Sequence, residues 1–253
     1  MAPRNIYFPL YLRQTPEEFH ERIAANPTYA ARWARKGAVS GDPDAQFAFG
    51  FMLLNGYGVE RDPAAAFRWF LSAARHGVDD AINMVGRCHE LGWGTPRDPA
   101  LAAQWYRRAA SNGHAWAQYN LATLLLEGVG VQRDAGEAVS LFVRSSRSGN
   151  EKAMYMLGRC REEGWSVREK PAAARKWYAR AAYRGCYRAQ FSFGRILADE
   201  GKIDEAHHWL SASCAAAPPD FRNSAARMIA SHPDERLGSL GRRLLQETTP
   251  PSA

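Results

Sequence analysis

Small and apolar residues recur along most of the chain with a period of 36 residues. A glycine marks each period, at Gly41, Gly77, Gly113, Gly149 and Gly185. A fixed period of this length is typical of a solenoid, in which one small unit cannot bury its apolar face without its neighbours. We therefore expect a stack of similar units, with the glycines at the junctions between them.

The first half of each period predicts a helix with a small, apolar face. In the first unit this face carries Ala45, Phe49, Gly50 and Met52, and the same positions are small or apolar in every later unit. Glycine in a helix costs about 1 kcal/mol relative to alanine. Its recurrence at the position of Gly50 predicts that another backbone packs closely there.

The second half of each period predicts an amphipathic helix with a clearer pattern. Its apolar stripe in the first unit is Ala66, Trp69, Phe70, Ala73 and Ala74, at the i, i+3, i+4, i+7 spacing of one helix face. The stripe returns in the second and fourth units, and in the third it has leucine and serines instead. We interpret this stripe as core, because large rings beside alanines interdigitate between helices.

A glycine-bearing loop separates the two helices. In the first unit, Gly56 is placed to end the first helix with a positive φ, and Asp62 is placed to cap the second. In the fifth unit this loop shortens to a few residues around Gly201. The fifth unit therefore differs from the others in its connection and not in its helices.

These patterns predict three segments. Residues 1–40 are an N-terminal segment with capping helices, residues 41–216 are five repeats, and residues 217–253 are C-terminal capping helices with a disordered tail. The predicted repeats are 41–76, 77–112, 113–148, 149–184 and 185–216. The N-terminal segment is expected to be extended over 1–13 and to start a helix at Thr15.

The repeated sequence resembles the Sel1-like repeat, a relative of the tetratricopeptide repeat. The residues that carry the resemblance are Ala-Gln-Phe-Ala-Phe-Gly at 45–50, Gly-Tyr-Gly-Val at 56–59 and Arg-Asp-Pro at 61–63. The resemblance covers 41–216 and implies an all-α, right-handed superhelical solenoid of helix pairs. It also implies a non-enzymatic protein-interaction scaffold, since known members serve in bacterial signalling, envelope assembly and membrane-linked protein degradation.

One face of the first helices varies between repeats, and in tetratricopeptide-like folds this face lines the concave groove. We expect the groove to bind a protein or peptide segment, with arginines for acidic groups and aromatic rings for apolar area. The candidate residues are Phe47, Phe51, Asn83, Arg87, Trp116, Tyr119, Tyr155, Arg159, Phe191 and Arg195. The alternative is that the aromatics complete the packing and the arginines pair with Glu90, Glu162 or Glu163.

The composition adds a second possible function. Of the 253 residues, 46% are hydrophobic, which is enough for one elongated domain, and the net charge of +7 favours acidic partners. Arginines also recur on the polar face of the second helices, where a basic surface for nucleic acid or another anionic partner is an alternative function. Because arginine on a polar face also simply keeps a protein in solution, we expect nucleic-acid binding less than protein binding.

The sequence carries no pattern typical of an enzyme. The cluster Cys88-His89-Glu90 and the pair His207-His208 lack a second ligand pair, so neither a metal nor a cofactor is expected. We likewise expect no small-molecule substrate. Among the four cysteines, Cys186 and Cys214 are close enough in the predicted fold to pair, although free thiols are the expected state.

The chain also shows no signal peptide, lipobox or membrane-spanning run. The apolar stretch at 6–12 is short and contains proline. These features predict a cytoplasmic protein.

Overall fold

The computed structural model describes residues 26–248, and every regular element in this range is an α-helix. The prediction of an all-α repeat solenoid is confirmed. The predicted extended segment at 1–13, most of the helix predicted from Thr15 and the last residues of the tail lie outside the described residues.

The helices follow one another with short connections. In chain order they are α1 Pro27–Val39, α2 Pro43–Asn55, α3 Pro63–Arg75, α4 Asp79–Leu91, α5 Pro99–Ser111, α6 Ala115–Glu127, α7 Ala135–Arg147, α8 Glu151–Glu163, α9 Pro171–Tyr183, α10 Tyr187–Asp199, α11 Ile203–Ala216, α12 Pro219–Ala230 and α13 Glu235–Thr248. None of the described helices is long and apolar enough to cross a bilayer.

The described residues form two compact units. The first comprises 26–117 with 129–131, and the second comprises 118–128 with 132–248. Within each unit the two helices of a repeat pack on each other, as α2 packs on α3 and α8 on α9. The first helix of a repeat also packs on the second helix of the preceding repeat, as α10 does on α9.

The helix ends follow the sequence signals. Gly56 ends α2 in the left-handed conformation, with φ 70°, and Gly164 ends α8 with the same φ. At the start of α3 the Asp62 carboxylate accepts a hydrogen bond from the Ala65 backbone N–H at 2.9 Å. In the fourth repeat, Lys170 precedes α9 and its side chain makes no capping hydrogen bond.

The aromatic residue at the centre of each apolar stripe forms the core. Phe70, Tyr106, Phe142 and Tyr178 are all fully buried. The tryptophan beside it is less enclosed, since Trp69 is half-buried and packs edge-on against Phe49. The interpretation of the stripe as core is confirmed for these residues.

The glycines inside the first helices make room for these rings. A Cβ on Gly158 would lie 2.5 Å from two carbons of the Tyr178 ring. On Gly50 it would lie 2.9 Å from the Phe70 ring, closer than the nearest backbone atom, the Ala66 carbonyl oxygen at 3.2 Å. The predicted close backbone is therefore present at Gly50, and the aromatic ring packs closer still.

All four cysteines are buried and unpaired. Burial raises the pKa of the Cys88 thiol to about 12 and that of Cys160 to about 11. Cys186 and Cys214 are also free, and burial raises the pKa of both. The thiols are thus part of the core in the reduced state.

Candidate protein-binding face of the first helices

Four of the candidate aromatic residues occupy the same position in their repeats, six residues after the glycine that marks the repeat. All four are half-buried and lie against a second ring. In the first, third and fourth repeats this second ring belongs to the core stripe, and in the fifth it comes from α12. The ring pairs and centroid distances are Phe47 with Phe70 at 5.9 Å, Tyr119 with Phe142 at 5.9 Å, Tyr155 with Tyr178 at 5.8 Å and Phe191 with Phe221 at 5.7 Å. Each aromatic therefore completes the packing and also keeps part of its surface in solvent.

The other candidate residues of the first compact unit differ in the exposure of their side chains. Phe51 is 51% exposed and Trp116 is 41% exposed, so both present apolar surface. Asn83 is buried, with 6% of its surface exposed. Asn83 is therefore a part of the helix packing and does not lie on the exposed face that the sequence predicted for it.

Two of the predicted arginines stack on tryptophans of the inter-helix loops. The Arg87 guanidinium lies 4.9 Å from the centroid of the Trp93 ring, and that of Arg159 lies 4.5 Å from Trp165. These tryptophans were not among the predicted site residues. The signal for them was their spacing, since each follows its arginine by the same number of residues.

The acidic residues of the predicted alternative are engaged in different ways. Glu162 pairs with Arg195 and also accepts a hydrogen bond from the Tyr178 hydroxyl at 2.5 Å. Arg159 lies 3.9 Å from Glu163, whereas Glu90 accepts from the Tyr106 hydroxyl. Internal pairing thus applies to Arg195 and weakly to Arg159.

Arg188 is a further basic residue on this face, on the first turn of α10. Its guanidinium lies 5.5 Å from the centroid of the Tyr187 ring and 5.4 Å from that of Phe221. It is exposed, and no carboxylate between residues 26 and 248 forms an ion pair with it. Phe221 lies on α12, one of the C-terminal capping helices, and not in a repeat. Repeat spacing therefore gave no signal for this contact.

The phenols near Arg188 show its electrostatic influence. Burial raises the pKa of both Tyr119 and Tyr155, and the positive charge of Arg188 opposes this rise in each. Arg159 has the same effect on Tyr155. In the second unit the face therefore combines half-buried rings with two arginines whose charge is only partly compensated.

The arginines of the second helices have partly structural roles. Arg108 donates from Nη2 to the Ala74 carbonyl oxygen at 3.3 Å, at the end of α3. Arg180 lies 5.1 Å from the centroid of Trp177. Arg144 and Arg147 are exposed in the last turn of α7, where a positive charge favourably opposes the helix dipole. None of these roles needs a ligand.

No group of three or more metal-binding side chains occurs in the described part of the chain. His89 packs edge-on against Phe67, and burial lowers its pKa. His208 packs against Trp209. His89 and His208 thus lie against aromatic rings.

Several solved structures share this architecture. A Sel1 repeat protein from Oxalobacter formigenes is 25% identical, with a TM-score of 0.73 over 81% of this chain and 86% of that one. A protective antigen of uropathogenic Escherichia coli with an SLR fold is 26% identical, with a TM-score of 0.68 over 88% of this chain and 49% of that one. This chain thus spans about half the length of the antigen. An immunity protein from Pseudomonas aeruginosa, 16% identical with a TM-score of 0.53 over 81% of each chain, shares the fold.

No curated protein matches the chain. The family model described as the Sel1 repeat matches residues 43–78, 79–114, 117–150 and 151–186, which is more than half of the chain. Proteins with these repeats generally act in protein–protein interaction and are typically non-catalytic scaffolds. The chain belongs to the Sel1 repeat family.

Proposed function

We propose that this protein is a non-enzymatic scaffold that binds a protein or peptide segment with acidic side chains on the exposed face of its first helices. In the second compact unit (118–128 with 132–248) this binding face consists of Tyr119, Tyr155, Arg159, Arg188 and Phe191. In the first compact unit the corresponding surface is formed by Phe47, Phe51, Arg87, Trp93 and Trp116. The predicted residues Asn83 and Arg195 contribute packing and an internal ion pair instead.

The rings supply apolar contact area at a low entropic cost. Tyr155 and Phe191 are already held by Tyr178 and Phe221, so little side-chain freedom is lost when a partner covers them. Aromatic residues in such pre-formed settings dominate the binding energy of many protein interfaces. The half-buried state of these residues therefore supports a binding role as well as a packing role.

The observation that carries the proposal is the state of Arg188. Its guanidinium lies against two rings without a carboxylate partner, and stacking restricts its orientation. A planar guanidinium that is fixed in this way is suited to bidentate binding of a carboxylate. Arg159, which stacks on Trp165, offers a second guanidinium of this kind on the first helix of the preceding repeat.

The test uses peptides selected against the full chain from a random library. We expect the selected peptides to be enriched in Asp and Glu, and we expect Arg188→Glu to weaken their binding at least about tenfold. Arg180→Glu is the matched control, because Arg180 is also exposed and stacked on a ring but lies on a second helix. Selected peptides without acidic enrichment, or equal binding by the Arg188→Glu variant, would contradict the proposal.

The alternative function is binding of nucleic acid or another anionic partner by the basic second helices. Lys176 and Arg144 support it, because both are exposed and neither forms an ion pair within residues 26–248. In this case heparin retention falls steeply with salt. It also falls in an Arg144→Glu variant and is unchanged in Arg188→Glu, which is the reverse of the peptide result.

A further inference from the structure

The inter-helix loops pack on the start of the preceding second helix, and glycine makes this contact possible. The contacts are Gly58 on Pro27, Gly94 on Pro63 and Gly130 on Pro99. A Cβ on Gly94 would lie 2.0 Å from the Pro63 carbonyl oxygen, which no side chain tolerates. Each of these loops therefore covers the first turn of one helix with bare backbone.

In the fourth repeat, the loop has a larger residue than glycine at this contact and the helix has glycine in place of alanine. Its loop carries Ser166, which has φ 54°, at the position of the second glycine. The helix below it, α7, has Gly136 where α3 and α5 have alanine, and a Cβ on Gly136 would lie 3.6 Å from the Ser166 hydroxyl oxygen. The loop of the fourth repeat therefore also lies next to the first turn of α7, at ordinary contact distance.

The fifth repeat lacks such a loop, so the start of α9 is uncovered. Its two helices are joined only by residues 200–202, whereas the fourth repeat uses 164–170. The first residue of the second helix reflects the difference. It is half-buried in the four covered helices, at Pro27, Pro63, Pro99 and Ala135, and exposed at Pro171.

A surface cavity of about 340 Å³ lies at this uncovered position. Pro171, Ala172, Ala174 and Ile196 form its apolar wall. Pro171 and Ala172 occupy the same helix positions as Pro63 and Ala64, which contact the Gly94 loop in the first unit. The cavity therefore lies at the position where a loop backbone packs on α1, α3 and α5.

The acidic groups at the cavity are already neutralised. Glu200 accepts from Arg175 Nε at 2.8 Å and from Lys202 Nζ at 2.7 Å. Glu162 is held by Tyr178 and Arg195. An occupant thus needs no charge, and a neutral backbone segment against the apolar wall fits the cavity best.

We propose that this cavity binds a glycine-containing turn of a partner protein, which takes the place of the loop that the fifth repeat lacks. The turn must carry glycine at the point nearest Pro171, for the reason that holds for Gly94. This site goes beyond the acidic-segment binding proposed above, because neither Arg188 nor Tyr155 lines it. The two sites are therefore separable by mutation.

The probe is a synthetic peptide with the sequence of residues 90–99 of this chain, Glu-Leu-Gly-Trp-Gly-Thr-Pro-Arg-Asp-Pro. In an NMR titration of the full chain we expect saturable shift changes at Ala172, Ala174 and Ile196. The peptide with alanine at the second glycine is the matched control. It is expected to bind at least about tenfold more weakly, a factor that corresponds to about 1.4 kcal/mol.

Two variants of the chain complete the experiment. Ala172→Phe fills the cavity and is expected to abolish the shift changes, whereas Arg188→Glu is expected to leave them intact. A graft of residues 92–98 in place of 200–202 closes the cavity from within the chain and is expected to abolish peptide binding as well. If the graft does not fold, Ala172→Phe alone decides.

Three results would overturn the proposal. The first is an absence of saturable shifts at millimolar peptide. The second is equal binding of the glycine and alanine peptides, since the fit then does not depend on a bare backbone. The third is self-association that Ala172→Phe abolishes in sedimentation, because the occupant is then a second copy of this chain.

Discussion

The fourth and fifth repeats place an arginine at the same position of their first helix, and the two arginines have different environments. Arg159 stacks on Trp165 of its own loop. Arg195 has no loop tryptophan, because its repeat is joined by residues 200–202, and it pairs with Glu162 of the preceding repeat. Repeat register thus decides where a side chain lies, and the loop decides whether it is available to a partner.

The largest difference between the two repeats is expected in the loss of stability when the glycine within the first helix is replaced. Gly158→Ala should lower the free energy of unfolding by about 1–3 kcal/mol, because the new methyl overlaps the Tyr178 ring. Tyr178 cannot easily move, since its hydroxyl is bonded to Glu162. Urea unfolding followed by circular dichroism measures the loss.

Gly194→Ala is the matched change in the fifth repeat and should cost less. A Cβ on Gly194 would lie 2.9 Å from Leu210 Cγ, farther than the 2.5 Å from Gly158 to the Tyr178 ring, and no hydrogen bond holds the tip of the leucine side chain. The gain of about 1 kcal/mol in helix propensity is the same for both changes. An equal or larger loss for Gly194→Ala would show that the ring is not what makes the fourth repeat more restrictive.

The Tyr178 hydroxyl is expected to contribute about 1 kcal/mol to the free energy of unfolding. Tyr178→Phe removes its hydrogen bond, but Glu162 is half-exposed and keeps Arg195. A double-mutant cycle with Arg195→Ala should be non-additive, because both residues hold the same carboxylate. Additive effects would mean that the two contacts with Glu162 are independent.

Arg195→Ala alone should lower the free energy of unfolding by about 0.2–1 kcal/mol, as for other exposed ion pairs. It should leave the binding of selected acidic peptides unchanged, whereas Arg159→Ala should weaken it. Parallel titrations of both variants with one peptide make this comparison. A larger loss of binding with Arg195→Ala would reverse the roles that the structure gives the two arginines.

A last difference is expected in the dependence of stability on alkaline pH. Burial raises the pKa of Cys160 from an ordinary value of 9.0 to about 11. The folded chain therefore holds this proton at a pH where the unfolded chain has lost it, so the free energy of unfolding falls above pH 9. Cys160→Ala should make this decline shallower in urea unfolding at pH 8 and pH 10, and an unchanged decline would exclude a contribution from the thiol.

The sequence predicted the helices and their ends in most repeats because these depend on neighbouring residues. Asp62 caps α3 and Gly56 ends α2 as expected, since each acts within one turn of its own position. The candidate site was predicted less completely. Asn83 is buried, and the contacts of Arg188 with Phe221 join a repeat to a closing helix that shares no period with it.

The repeat period, the core stripe and membership of the Sel1 repeat family were thus determined by the sequence alone. The tertiary structure decided which arginines keep an uncompensated charge and that a cavity lies at Pro171. The physical reason is distance along the chain. Helix periodicity and capping arise from residues a few positions apart, whereas ion pairs, ring stacking and loop contacts arise between repeats and depend on how the helices pack.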